Sequence, residues 1–359
     1  MTADLAVIGG GIIGAAVAAL AKKAHPHLTV AILERHLIGT GASLYGGAVR
    51  VPIGTTPAHR ELARRSEALF RALGAWAGPL PGRAASVFWV VPARREPEFA
   101  DYWVGGACRP ATSDETARLA RAMPALTLAP DDLLLVDETA WCGNPGATAS
   151  HLVGHLLRQP GFACHEGVHV VAIEDRAGGC DLVAADGQVF RSRHVVRATG
   201  PWLDLHGRRV PDSGLRTKKV AALHVDLAPA ADDPVIVFVE EDAYLLPDPA
   251  GRRWILCISS PAWDVAPARS GLACDAEDRA IAARALRRHA PALLDRCRGE
   301  RVFCDAYTAT RLPAIGRDPQ SARSVYALGG SGSGYRFAPA IAETAIGLFE
   351  GSLSTMAVS

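Results

Sequence analysis

The sequence lacks two features that would mark whole classes of protein. It has no strong net charge, since 38 Lys and Arg residues against 37 Asp and Glu residues give a formal charge of +1. It also has no apolar run near the roughly 20 residues that cross a bilayer. We therefore expect neither nucleic acid nor a membrane as a partner, because neither would find the charged or apolar surface it needs.

Cysteine is sparse, and its spacing carries no motif. The 8 cysteines are scattered without a C-x-x-C pair, which is typical of reduced thiols rather than of a disulfide framework or a zinc site. We predict no metal site. The sequence enters its first strand at once, without the basic segment and apolar core of a secretory signal, so we expect a cytoplasmic protein.

The strongest pattern in the chain lies in its first 24 residues. Residues 5–8 are an apolar run without polar alternation, as in a buried parallel strand. Gly9, Gly11 and Gly14 follow with G-x-G-x-x-G spacing, which permits a tight turn, close approach to a pyrophosphate and close helix packing. A helix over 12–24 would direct its N-terminal amides at that pyrophosphate.

A second strand and an acid complete this pattern. Residues 30–33 are apolar, and Glu34 lies 20 residues after Gly14, where a carboxylate can accept hydrogen bonds from ribose hydroxyls. The combination of strand, glycine turn, helix, strand and acid is far more specific than the glycine motif alone. It predicts a bound adenine dinucleotide.

Glycine also dominates residues 35–54, which we expect to be irregular. Several glycines, Gly46 and Gly47 among them, surround Ser43 and indicate a loop whose backbone lies against a flat ligand. An ordinary surface loop is the alternative. Arg50 closes the segment, and we expect its cation to face phosphate or substrate.

Two further turns belong to the same pattern of small residues. HVVRATGPW ends a strand at Thr199, Gly200 and Trp202, where a small-residue turn can approach a ribose or pyrophosphate. The strand SVYALGG leads to a second glycine turn over 329–334, and we expect the last helix over 339–349. The dipole of that helix would favour an anionic ligand at its N-terminus.

Taken together, these motifs resemble the D-amino acid oxidase-like family of FAD-dependent oxidoreductases, the group of glycine oxidase and sarcosine oxidase. Five segments occur in the order of that family and span nearly the whole chain: VIGGGIIGAAVA, ILER, GTGASLYGG, HVVRATGPW and LPAIGRDP…VYALGGSGSGYRFAP. The resemblance implies an α/β protein: a Rossmann-like FAD-binding domain with an interleaved α+β substrate domain on a mixed or antiparallel sheet. We place the FAD-binding domain at 1–84, 143–215 and 306–359, and the substrate-binding domain at 85–142 and 216–305.

The resemblance implies that FAD is bound by turns from across the sequence. The expected cofactor contacts are Gly9, Gly11, Gly14, Glu34, Arg35, Ser43, Gly46, Gly47, Val170, Thr199, Gly200, Trp202, Gly330, Gly332, Gly334, Tyr335 and Arg336. We expect non-covalent FAD. The alternative is a thioether at Cys304, because sarcosine oxidases attach flavin through a cysteine in a C-x-Y-T segment and this chain reads C-D-A-Y-T.

The expected catalytic residues are Arg336, Tyr244, Arg50 and Asp305. Arg336 matches the lysine that holds the substrate carboxylate in the sarcosine oxidase branch, and Tyr244 matches a pocket tyrosine of the glycine oxidase branch. Asp305 departs from the family, because it stands where the R-P-x-T-x-D-G-x-P pattern has arginine. With Asp242 it would make an acidic wall, suited to a substrate with a second cation; solvated or arginine-paired carboxylates are the alternative.

The resemblance predicts oxidation of a C–N bond in a small amine or amino acid by hydride transfer to FAD, with O2 as acceptor. Three alternatives stay open from the sequence: an FAD-dependent dehydrogenase of a hydroxy acid or amine, a nicotinamide-dependent dehydrogenase, and a flavoprotein whose FAD is structural.

Overall fold

The computed structural model describes residues 2–104, 108–204, 210, 214–267 and 271–349. The strands in chain order are β1 (Thr2–Ile8), β2 (Val30–Glu34), β3 (Val49–Arg50), β4 (Gly82–Pro92), β5 (Arg109–Pro110), β6 (Asp132–Gly143), β7 (Phe162–Glu166), β8 (Val170–Arg176), β9 (Gly179–Ala184), β10 (Val189–Arg197), β11 (Arg216–Val225), β12 (Val235–Phe238), β13 (Ala243–Asp248), β14 (Arg253–Ile258), β15 (Cys297–Tyr307), β16 (Ala314–Asp318) and β17 (Ser321–Leu328). The helices are α1 (Ile12–Ala24), α2 (Ala42–Tyr45), α3 (Pro57–Ala77), α4 (Glu96–Ala100), α5 (Ser113–Ala122), α6 (Pro145–Leu156), α7 (Ala276–His289) and α8 (Gly334–Gly347).

The first sheet has eight strands, with the main path β16-β17-β10-β1-β2-β7. Strand β1 lies between β10 and β2 and is parallel to both, and β17 and β7 continue the parallel arrangement. A parallel strand covered on both faces needs apolar side chains on both, which explains the unbroken apolar run in β1. Strands β8 and β9 form an antiparallel extension from β10.

Four helices bury one face of this sheet. Helix α1 packs against α8 and α6, and α3 packs against α8. Helix α1 is buried almost all round, from Ala15 to Ala21, because its small side chains let its neighbours approach closely. This packing holds the N-termini of α1 and α8 in fixed positions relative to the sheet.

The second sheet has nine strands, in the path β15-β11-β14-β13-β12-β4-β6-β3, with β5 on β6. All its pairs are antiparallel except β4 with β12. Helix α7 covers one face, where Leu286 packs in the same core as Phe238 and Trp254. The opposite face carries Trp89, Val235 and Tyr244 toward the first sheet's glycine turns.

The predicted α/β class with two mixed sheets is confirmed. The strands of the first sheet come from three separate stretches of the chain, and the second sheet is formed between them. Strand β3 joins the second sheet although it lies within the predicted segment 1–84. The domain boundaries themselves stay a prediction; parts of 205–213 and 350–359 lie outside the described residues.

Two local expectations were wrong. Residues 35–54 are not wholly irregular, because Ala42–Tyr45 forms one helical turn and Val49–Arg50 pairs with β6. The last helix begins at Gly334 rather than Pro339, with the amide of Phe337 donating to the carbonyl of Ser333 at 2.9 Å. Pro339 lies inside α8, where it lacks the N–H that would bond to the carbonyl of Tyr335.

Candidate active site

One cavity of about 570 Å³ is lined by residues of both sheets. The first sheet and its turns contribute Gly9, Gly11, Glu34, Arg35, Val170, Thr199, Gly200, Trp202, Gly330, Gly332, Gly334, Tyr335 and Arg336. The segment before β3 contributes Ser43, Gly46 and Gly47, and the second sheet contributes Trp89, Val220, Val235, Val237, Tyr244, Phe303 and Asp305. The structure thus brings together nearly all of the residues that the sequence singled out.

The first glycine turn packs too closely on its neighbours to accept a side chain. Gly9 has φ +105°, and a Cβ there would lie 2.5 Å from the carbonyl oxygen of Ala198. Gly14 does not line the cavity; a Cβ at that position would overlap the carbonyl oxygen of Gly9, so Gly14 instead lets α1 pack on the turn. The N-terminus of α1 consequently faces the cavity, where its amides and dipole favour an anionic group.

Glu34 is held at the end of β2 by main-chain donors. Its Oε2 accepts from the amide of Gly10 at 2.6 Å, and its Oε1 accepts from the amide of His36 at 2.7 Å. A carboxylate has about four acceptor sites, so both oxygens keep capacity for ribose hydroxyls. The geometry therefore fits the role expected for this acid.

The turn after β10 continues the cavity wall. The Thr199 hydroxyl donates to the Trp202 carbonyl at 2.7 Å and closes the turn. The guanidinium carbon of Arg35 lies 4.1 Å from the centre of a Trp202 ring, a cation–π arrangement. Burial lowers the pKa of Arg35, with Glu34 opposing that shift.

The segment before β3 lies against both sheets. The Ser43 hydroxyl accepts from the amide of Ile12 at 3.0 Å, which fastens the segment to the first turn of α1. A Cβ on Gly47 would overlap the hydroxyl of Tyr244. Glycine at 47 is therefore required by the contact between this segment and the second sheet.

The second glycine turn is tied to β15 by Asp305. The amide of Ala306 donates to Asp305 Oδ1 at 2.8 Å, and the amide of Gly332 donates to Oδ2 at 3.3 Å. Burial raises the pKa of the Asp305 carboxyl, and the two amide donors oppose that rise. Gly332 has φ +75°, a conformation that glycine adopts without strain.

Arg336 lies in the first turn of α8 and presents a cation to the cavity. Its Nη1 donates to the carbonyl of Ile53 at 3.0 Å, and its Nη2 donates to the Ser333 hydroxyl at 3.0 Å. Burial lowers the pKa of Arg336, but the guanidinium stays charged near neutral pH because its ordinary pKa is so high. Its remaining N–H groups can bind a carboxylate.

Tyr244 forms the wall facing the glycine turns. Burial raises the pKa of its phenol well above the ordinary value, so the side chain is neutral and can offer a hydroxyl without charge. Trp89 and Val237 extend this wall with apolar surface. Such a wall excludes water from bound substrate.

Arg50 was placed wrongly by sequence reasoning. It does not line the cavity; it is 7% exposed and its guanidinium carbon lies 4.0 Å from the ring centre of Phe70 and 5.3 Å from that of Trp141. Its Nε and Nη1 have no hydrogen-bond partner within the described part of the chain. Because side chains alternate along a strand, Val49 and Val51 face the cavity and Arg50 faces away.

Cys304 also faces away from the cavity. Its neighbours Phe303 and Asp305 line the cavity, whereas its Sγ donates to the carbonyl of Val265 at 3.6 Å. Burial raises the pKa of the Cys304 thiol to about 11. The thiol is thus protonated near neutral pH and buried between other residues.

Sequence reasoning missed several contributors. Ser333 orients Arg336 from within a glycine turn where only the glycines were singled out. Trp89 lies in an apolar strand with no distinguishing motif, and the carbonyl of Ile53 is a main-chain group that sequence cannot mark. Among the residues that the structure describes, no cluster of His, Cys, Asp or Glu could hold a metal ion.

A parallel sheet with a glycine turn, an acid after β2 and a cavity reaching a second sheet are the features of a dinucleotide-binding protein. The family model described as DAO, FAD dependent oxidoreductase, matches residues 4–348. The chain therefore belongs to this family and is an FAD-dependent oxidoreductase, which excludes the nicotinamide alternative. A comparison with curated proteins finds no match.

Solved structures show the same fold at low sequence identity. Glycine oxidase from Geobacillus kaustophilus has a TM-score of 0.76 and 20% identity, over 98% of this chain and 95% of that chain. L-proline dehydrogenase from P. horikoshii has a TM-score of 0.80 and 18% identity, over 98% and 94%. Iminodiacetate oxidase from Chelativorans sp. BNC1 has a TM-score of 0.72 and 20% identity, over 97% and 95%.

None of the helices in the described residues has the length and apolar character needed to cross a bilayer.

Proposed function

We propose that this enzyme oxidises the C–N bond of a small amine or amino acid to the imine, with O2 as the electron acceptor. One observation carries the proposal: a single cavity joins the glycine turn and Glu34 of the first sheet to Arg336 and Tyr244. A cofactor held at the first group would reach a substrate held by the second.

The residues present fit an adenine dinucleotide. The glycine turn, the first residues of α1 and Glu34 line the same cavity, and Glu34 keeps free acceptor capacity. The second glycine turn and the N-terminus of α8 lie at the other wall of the cavity. Amides and a positive helix end at that position would stabilise negative charge on a bound ring system.

When bound, FAD supplies a two-electron acceptor for a hydride leaving the substrate carbon. The substrate nitrogen must be neutral, because its lone pair forms the C=N bond as the hydride leaves. The proton of the resulting iminium is lost to solvent, and water hydrolyses the imine to a carbonyl compound and ammonia, or an amine where the substrate nitrogen is secondary. The chain's part is to bind, orient and desolvate the substrate.

Arg336 performs the binding step in this proposal. Its guanidinium, fixed by Ile53 and Ser333, would hold a substrate carboxylate through its remaining N–H groups. Tyr244 and Trp89 would confine the reacting carbon. Because Tyr244 remains a neutral phenol, it adds no charge that would oppose the carboxylate.

We further propose that FAD is held without a covalent bond. The thiol of Cys304 is directed at the carbonyl of Val265, on the side of β15 opposite Phe303 and Asp305. Precipitation with acid should therefore release all of the yellow colour into the supernatant. Colour retained in the pellet, and lost in Cys304→Ser, would contradict this proposal.

Anaerobic bleaching tests the proposed reaction. The purified yellow protein is mixed without oxygen with panels of amines, amino acids and hydroxy acids, and the absorbance near 450 nm is followed. We expect amino compounds to bleach it and air to restore the colour with consumption of O2. Bleaching by hydroxy acids alone, or by none of the panel, would refute amine oxidation, and colour that air does not restore would refute O2 as acceptor.

Arg336→Met separates binding from chemistry. We expect a rise in KM for carboxylate-bearing substrates of about tenfold or more, because a charged hydrogen bond is lost. Arg336→Lys should restore part of the loss. Arg121→Met is a matched control, since Arg121 is exposed on α5 and outside the cavity lining; it should leave KM unchanged.

A further inference from the structure

We propose that the natural substrate carries a second positively charged group, besides the reacting nitrogen, which Asp242 and Asp305 bind. This inference rests on the proposed function and names its substrate class: a basic amino acid or a carboxylate-bearing diamine. The cavity lining also carries Glu34, Arg35 and Asp204. The observation behind the inference is that Asp242 and Asp305 join Arg336 in that lining and form no ion pair within the described residues.

Asp242 differs from the acids beside it. Glu240 pairs with Arg94 at 2.5 Å, and Glu241 pairs with Arg288 at 3.3 Å and with His289 at 2.9 Å. Asp242 follows in the same turn between β12 and β13, yet within the described residues it makes no ion pair and it lines the cavity. The turn thus neutralises its first two acids internally and leaves the third facing the ligand space.

Asp305 is fixed in orientation but not neutralised. Both of its oxygens accept from backbone amides, which orient the carboxylate without cancelling its charge. No Lys or Arg of the described part of the chain lies within ion-pair distance of it. A carboxylate with lone pairs left over in a partly desolvated cavity is stabilised by a ligand cation.

The nearest cations do not supply that neutralisation. Lys218 lies opposite Asp305 in the pairing of β11 with β15, but its Nζ donates to the Ser259 hydroxyl at 2.9 Å. The same Nζ lies 5.2 Å from the ring centre of Trp263 and 5.3 Å from that of Tyr307. Lys218 is outside the cavity lining, so a ligand cation would not meet it there.

Charge balance then selects the substrate. A substrate carboxylate would pair with Arg336, and the reacting nitrogen must be neutral to donate its lone pair. Within the described residues Asp242 and Asp305 form no ion pair, and the charge of Asp242 only opposes the lowering of the Lys218 pKa by burial. A neutral substrate side chain would remove water from these carboxylates without forming an ion pair, and a second acidic group would be repelled by them. An ammonium or guanidinium group would form ion pairs with them.

Binding of unreactive ligands tests this pattern without depending on turnover. Four carboxylates that differ in the charge of their far end are titrated into the FAD-loaded protein: hexanoate, adipate, 4-guanidinobutanoate and 6-guanidinohexanoate. The shift of the flavin spectrum gives the Kd of each. We expect at least one guanidino acid to bind about tenfold or more tightly than hexanoate, and adipate to bind most weakly. Equal binding of all four, or tightest binding of adipate, would overturn the inference.

Variants assign the effect to the two carboxylates. Asp242→Asn and Asp305→Asn should each reduce the advantage of the guanidino acid about tenfold, while hexanoate affinity stays the same. Asn at 305 keeps an oxygen for the amide of Gly332, so the glycine turn is retained; FAD content and thermal unfolding verify this. Glu240→Gln is the matched control and should change nothing, since Glu240 pairs with Arg94.

Substrate comparison distinguishes the two proposals. The substrates compared are both enantiomers of norleucine, lysine and 2-aminoadipate. These amino acids differ mainly in the charge at the end of the side chain, which is neutral, positive and negative, respectively. Faster anaerobic bleaching by lysine supports the inference. Bleaching by norleucine as fast as by lysine overturns the inference and leaves amine oxidation intact, whereas bleaching by no amine at all overturns amine oxidation.

Discussion

Replacing Gly14 by alanine should separate the packing role of the third glycine from direct contact with cofactor. Gly14 does not line the cavity, but a Cβ there would overlap the carbonyl oxygen of Gly9 and lie 3.1 Å from the carbonyl carbon of Gly9 and 3.2 Å from Val7 Cγ1. The main obstacle is backbone, so relief requires that α1 move away from β1. Overpacking of this kind costs about 1–3 kcal/mol, and we expect a loss of about 2–3 kcal/mol in unfolding free energy.

The same movement shifts the first amides of α1, so FAD affinity should fall about tenfold or more although no cofactor contact is removed. Urea unfolding and titration of the apoprotein with FAD measure the two effects. Gly154→Ala is the control: Gly154 lies inside α6 with nothing within 4 Å of a built Cβ, and alanine there should stabilise the protein by about 0.5–1 kcal/mol. Wild-type stability and FAD affinity in Gly14→Ala would refute the reasoning.

Three further predictions concern stability. Lys22→Met should lower the unfolding free energy by about 2–4 kcal/mol, because Lys22 Nζ donates to the carbonyls of Pro26, Leu28 and Pro160; Lys23→Met, on the exposed side of the same turn, should be nearly neutral by urea unfolding. Thr112→Ala should cost about 1 kcal/mol in thermal unfolding through loss of the α5 capping box, and Ser113→Ala much less. Burial raises the pKa of Asp305, so the folded state binds more protons than the unfolded state between the two pKa values. Wild type should therefore lose stability relative to Asp305→Asn as pH rises from the ordinary carboxyl pKa of 3.8 through the raised pKa of the folded state, and a constant difference in urea unfolding would contradict this.

Local chemistry was readable from the sequence where one residue type is compulsory. Gly9, Gly14 and Glu34 were predicted from spacing alone, and the structure gives each a geometric reason: a positive φ, a close approach and a pair of amide donors. The second glycine turn was also predicted, because a six-residue segment with four glycines between a strand and a helix is typical of a turn.

The errors arose where three-dimensional pairing decides the outcome. Arg50 was expected in the cavity. The direction of its side chain depends on the register of β3 with β6, which places Arg50 opposite Trp141, a residue far away in the sequence. The start of α8 was placed at Pro339, because proline usually opens a helix. The helix in fact begins at Gly334, where the amide of Phe337 donates to the carbonyl of Ser333, and helix propensity alone does not predict this bond.

The order of strands in the first sheet has a consequence for synthesis of the protein on the ribosome. Strand β1 is made first, but its neighbour β10 ends at Arg197, and the end of β10 from Val195 to Arg197 pairs with β17 only after Tyr326 has been made. At roughly 5–20 residues per second, the apolar α1 waits roughly 15–60 s for its last partners. During that time the nascent chain lacks the residues of α8 that cover α1 in the folded protein, so the apolar side chains of α1 stay open to contact with other apolar surfaces.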